Sequence, residues 1–161
     1  MYAALIGLHA AAGLLAVGAG IRTIGTGSSF GFYLGSLAAS IAFVAGAIAL
    51  DWGGLDGGTR VLFAALLALG CYMIFRGARA GRRLAAGTGT RSTAYIDDVG
   101  FTIIALLDAF LVIVVLDLGA SGYVVAAVAL LGAAIGHRAL ETYKRGALSS
   151  APASARGRTP P

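Results

Sequence analysis

Few side chains of this chain are placed to do chemistry, and the sharpest of them is Asp108. It stands in the middle of residues 99–118, VGFTIIALLDAFLVIVVLDL, where Thr102 and Asp108 are the only polar side chains up to position 116. A helix of that length crosses most of a hydrocarbon core about 30 Å thick, and an acid at such depth costs about 2.5–3.5 kcal/mol to insert. Asp108 is therefore expected to face protein or water. It reads equally as a protonatable or cation-binding carboxylate of a carrier and as a structural acid held by a neighbouring helix or partner subunit. Asp97, eleven residues earlier, falls at nearly the same angular position on an ideal helix, so both acids share a face with Phe101, Ile104 and Ala105. Asp97 and Asp98 also read as first-turn acids that complement the helix dipole. That reading is preferred for Asp98 and left open for Asp97.

His9 is the other titratable group well inside an apolar run. A His9–Asp108 contact between two spans is geometrically open; the simpler expectation gives His9 a backbone carbonyl or an interfacial position. His9 and His137 fall at opposite membrane depths, too far apart to ligate one haem iron. His137 and Glu141 form a two-ligand set, which is weak for a metal without a third ligand nearby. Glu141 also pairs at helical spacing with Lys144 and Arg145, the ordinary pattern of a solvated helix end. The run RGARAGRRLAAGTGTRST lacks the GxxxxGK[ST] order of a P-loop. Neither an HExxH motif nor a nucleophile–base arrangement is present. The reading is of a non-enzyme without metal or cofactor. Cys71, the single cysteine, has no disulfide partner in the chain and reads as a small buried apolar residue.

The elements that must carry these residues follow from composition. Of 161 residues 58% are hydrophobic and only 12% charged, about half the share usual in soluble domains. The mean hydropathy is +0.88. So much apolar surface cannot be hidden in one small core, and its natural solvent is lipid. The net charge of +5 sits mostly on arginines beside apolar runs, which is membrane-flanking charge and argues against nucleic acid as a partner. The N-terminal run carries no basic n-region, so it reads as a retained span rather than a cleaved signal.

Five apolar segments emerge, at residues 3–21, 30–50, 61–75, 99–118 and 119–136, the last continuing into the polar helical stretch HRALETYKR. Segment three is short for a span. Residues 57–59 must extend it, or Arg60 and Arg76 must snorkel from its ends. The fold expected is an all-α integral membrane protein of five transmembrane helices, one domain over residues 1–146 with a mobile tail at 147–161. Eleven basic residues fall on one side of such a bundle and Arg60 alone on the other, which sets the N-terminus out and the C-terminus in. A prokaryotic plasma membrane is the expected location.

Two hairpins show a weak repeat, Leu50-Asp51-Trp52-Gly53 against Leu116-Asp117-Leu118-Gly119, then Leu69-Gly70 against Leu131-Gly132. Small residues recur every fourth position at Ala12/Ala16/Gly20, Gly31/Gly35/Ala39, Ala38/Ala42/Gly46 and Gly132/Gly136, ridges that let helices approach closely. The connection between segments three and four carries Arg76, Arg79, Arg82, Arg83 and Arg91 and reads as a basic loop. Arg79, Arg82 and Arg83 are the expected contacts with anionic lipid headgroups. Tyr33, Trp52, Tyr72, Tyr95 and Tyr123 read as interfacial belt residues. Function narrows to an accessory subunit or oligomeric scaffold of a membrane complex, with membrane lipids and either further copies or other subunits as partners. A small proton- or cation-coupled carrier built on Asp108 is the alternative.

Overall fold

The computed structural model describes residues 1–87, 89–90 and 92–149. These form five helices: α1 (Tyr2–Thr26), α2 (Phe30–Asp51), α3 (Gly57–Ala85), α4 (Thr93–Asp117) and α5 (Gly122–Ser149). Each is long and apolar enough to cross a membrane, and the described residues contain no strand. Short turns join them, so neighbours in sequence run antiparallel. One end of the bundle gathers Arg22, the last turns of α3 and the start of α4, and the other gathers Asp51, Asp56 and Arg60.

Helices α1 to α4 close a ring, α1 on α2, α2 on α3, α3 on α4 and α4 back on α1. The core of this ring is Ala16, Val17, Tyr33, Leu37, Met73, Ala80, Tyr95, Ile96 and Val99. Glycines let the ring tighten: a Cβ on Gly20 would meet Ile103 at 2.9 Å, and one on Gly77 would meet Leu34 at 2.9 Å. Helix α5 lies outside the ring and packs on α4, which leaves Tyr123, Leu130, Leu131 and Ile135 exposed.

Several expectations change at this level. Of the two ways to lengthen segment three, extension is used, because α3 begins at Gly57, where the Asp56 side chain caps the Gly58 and Thr59 N–H groups. Arg60 lies over the Trp52 ring at 5.8 Å. At the other end α3 runs helical to Ala85, so the basic stretch read as a loop is mostly helix. Its glycines are packing positions rather than breaks, since a Cβ on Gly81 would lie 2.8 Å from Phe30. Helix α4 starts at Thr93 under a Ser92 cap, which moves Asp97 and Asp98 out of the first turn. Tyr33 and Tyr95 are not belt residues but fully buried: Tyr33 meets Phe30 edge-on at 5.6 Å, and Tyr95 donates to the Thr23 carbonyl at 2.9 Å. Trp52, Tyr72 and Tyr123 are exposed as expected. Cys71 is exposed, not buried. Helix α5 continues through Ser149, past the expected start of the tail at 147, whose residues 150–161 lie outside the described residues. Arg91, Arg156 and Arg158 lie outside them as well.

Candidate functional site

The densest polar cluster is built by α3 and α4. Arg76, Arg79 and Arg83 recur at i, i+3 and i+7, one face of a helix. Because α4 begins six residues before it, Asp98 points into the bundle, and its side chain is fully buried. Arg76 Nε donates to Asp98 Oδ1 at 2.9 Å. Arg79 forks onto the carboxylate, with Nε to Oδ2 at 3.0 Å and Nη2 to Oδ1 at 2.5 Å. Arg83 Nη1 lies 3.3 Å from Oδ2. The Thr102 hydroxyl donates to the Asp98 carbonyl at 3.2 Å. Aromatic faces fix the guanidinium planes, Phe101 under Arg76 at 4.6 Å and Phe75 under Arg79 at 5.9 Å. A buried carboxylate is tolerable only with such saturation, since the desolvation penalty is several kcal/mol per ion.

A second ion group joins α4 to α5. Lys144 donates to Asp97 Oδ1 at 2.7 Å and also pairs with Glu141. Below it the two helices meet in steps of about one turn: Leu140 covers Gly100, Ile104 covers Gly136 and Asp108 covers Gly132. The expected shared face of Asp97 and Asp108 is thus the face that α4 turns to α5, with Asp97 paired and Asp108 not. The Gly132/Gly136 ridge is filled from within the chain.

Asp108 lies in a groove of about 200 Å³ lined by Ile104, Leu107, Leu111, Gly132, Ile135 and Gly136. Its Oδ1 is buried and has no hydrogen-bond partner among the described residues. His9 does not reach it. His9 Nδ1 lies 2.9 Å from the Ser40 carbonyl oxygen, and the Ser40 hydroxyl donates to the His9 carbonyl at 3.0 Å. An Nδ1–H tautomer satisfies this reciprocal pair, and α1 and α2 approach closely enough to make it because Gly13 stands against Ser40 and Phe110. The His9–Asp108 pair is replaced by the backbone partner that was the simpler expectation.

The described residues hold no group of three or more His, Cys, Asp or Glu suited to a metal ion. Compared with protein-family models, with curated proteins and with solved structures, the chain matches none. Any functional reading therefore rests on these two places alone, the arginine–Asp98 cluster and the Asp108 groove.

Sequence reasoning singled out Asp108, His9 and Asp97 and missed Asp98. The signal was present as the 76/79/83 spacing. Gly77 and Gly81 concealed it by making the stretch look like a loop. Arg79 and Arg83, expected at lipid headgroups, turn at least part of their donors to Asp98, whereas Arg82 is exposed.

Proposed function

We propose that this chain is an accessory or assembly subunit of a membrane complex, and that the α4–α5 groove receives a transmembrane helix of a different subunit. The observation that carries the reading is the Asp108 Oδ1, buried without a donor in an otherwise apolar groove on the outer side of the ring. In lipid an unsatisfied carboxylate is costly, and a partner helix carrying an N–H or O–H donor removes that cost. A second copy docked symmetrically would set two Asp108 carboxylates against each other, which disfavours a homo-oligomeric contact here. A carrier role for Asp108 is the lesser reading. The ring core beside it is filled by Tyr33, Leu37 and Met73, so an ion path would have to run between subunits.

The orientation that fits this reading has the arginine-rich end of α3 inside, the N-terminus out and the C-terminus in, by the positive-inside rule, in a plasma membrane. The hairpins α2–α3 and α4–α5 read as copies of one unit. In each a glycine of the returning helix takes a side chain of the first, Ile41 at Gly70 and Asp108 at Gly132.

The test is the size of the assembly extracted in mild detergent from the native membrane. The wild-type chain is expected in a complex with a different polypeptide, and Asp108→Leu is expected to release it as a folded monomer. A wild-type monomer, a pure homo-oligomer, or an Asp108→Leu complex of unchanged size and composition overturns the reading.

A further inference from the structure

The Asp98 cluster carries more charge than it neutralises. One carboxylate faces three guanidinium groups, a formal surplus of two positive charges among the described residues at that point. A carboxylate has about four acceptor positions and each guanidinium five N–H donors. The four contacts from Arg76, Arg79 and Arg83 saturate Asp98. Arg79 commits one edge, Nε and Nη2, to the fork on Asp98. Neighbouring acid does not offset the surplus, because Asp97 is taken by Lys144 on α5. The cluster is open at its rim, with the Arg79 side chain 38% exposed and that of Arg83 32%, while that of Arg76 is 16% exposed. Phe101, Tyr72 and Phe75 hold the Arg76 and Arg79 planes, so little side-chain order remains to be lost on binding a ligand.

From this geometry we infer that the arginine face of α3, organised by Asp98, is a binding site for a phosphate group. Asp98 is the positioning residue: it gathers the guanidinium groups on one side and leaves their remaining donors to a doubly charged, multidentate anion. Phosphate oxygens match the spacing of guanidinium N–H groups, which makes bidentate recognition the preferred mode. The phosphate belongs either to an anionic phospholipid or to a soluble phosphate compound. The inference is independent of the Asp108 groove, which lies about 15 Å further along α4.

The experiment uses the full chain in nanodiscs with guanidinium nitrogens labelled with ¹⁵N. Phosphorus–nitrogen dipolar coupling is recorded in three arms: phosphatidylcholine alone, phosphatidylcholine with phosphatidic acid, and phosphatidylcholine with inorganic phosphate. Coupling to Arg79 with phosphatidic acid alone identifies a lipid site, and coupling with inorganic phosphate identifies a soluble ligand. Arg79→Gln is expected to weaken saturable binding about tenfold, the equivalent of one charge-assisted hydrogen bond, and Arg82→Gln to leave it within about twofold. Arg79 coupling absent in the second and third arms overturns the inference without reference to any variant. So does binding lost equally in Arg82→Gln, which would mean diffuse surface charge.

Discussion

At the scale of single residues, Asp98 and Asp108 show how one residue type takes opposite roles. Asp98 is fully buried and saturated by three arginines, and removing its charge strands them. Asp98→Asn is expected to destabilise the fold by about 3–5 kcal/mol, measured by reversible unfolding in mixed micelles. Arg79→Gln should cost less, because Asp98 keeps Arg76 and Arg83. An Asp98→Asn protein as stable as wild type would mean the cluster contributes nothing to folding. Asp56 gives a pH-dependent case outside the spans. The Thr59 hydroxyl, with the Thr59 and Gly58 N–H groups, holds its carboxyl below the ordinary 3.8. A depressed folded value stabilises the start of α3 at any pH above 3.8, and the effect is lost as pH falls through the folded value. Hydrogen exchange at Gly58 and Thr59 should accelerate over that acid range in wild type and stay level in Asp56→Asn. Asp108 was legible from its apolar surroundings alone. Asp98 was not, because its partners stood in a stretch whose glycines resemble a loop.

At the scale of elements, the α4–α5 contact is a ladder of glycines on α5 and side chains on α4, with Leu140 reversing the pattern at Gly100. A Cβ on Gly136 would lie 2.5 Å from Ile104 Cγ2. Gly136→Ala is therefore expected to cost about 1–3 kcal/mol by overpacking and to loosen α5 from the ring. Gly35→Ala, where a Cβ meets nothing within 4 Å, should change nothing. Cross-linking between α4 and α5 separates the two outcomes, and equal effects from both variants would contradict the ladder. Four-residue spacing revealed Gly132/Gly136 as a close-approach ridge, although spacing could not say which helix fills it. The ends of α3 and α4 escaped for a shared reason. Polar residues at a helix end look like loop when the sequence is weighed by hydropathy, yet Ser92 and Asp56 were readable as caps.

At the scale of the whole molecule, five helices were visible in hydropathy because each apolar run is bounded by charge or turn residues. Their arrangement was not, since lipid-facing and core-facing positions are equally apolar in a span. That is why Tyr33 and Tyr95, buried in the ring, resemble belt residues in sequence. The proposed orientation predicts that single cysteines at Ser28 and Ser149, in a Cys71→Ala chain, react only from the cytoplasm, and one at Gly57 only from outside. Reaction of Ser28 and Gly57 positions from the same side would break the five-span topology. The central claim, that a partner helix occupies the Asp108 groove, is tested most directly by lipid access. Leu111 lines the groove and is 44% exposed in the isolated chain, while Leu8, a similar distance from the same end of the bundle, is 48% exposed. Tryptophan is placed at each position in a Trp52→Phe chain, and its quenching by brominated lipid is measured in the native assembly. Strong quenching at Leu8 and weak quenching at Leu111, restored by Asp108→Leu, is the result predicted. Equal quenching at both positions in the unaltered assembly would show the groove filled by lipid and would contradict the account.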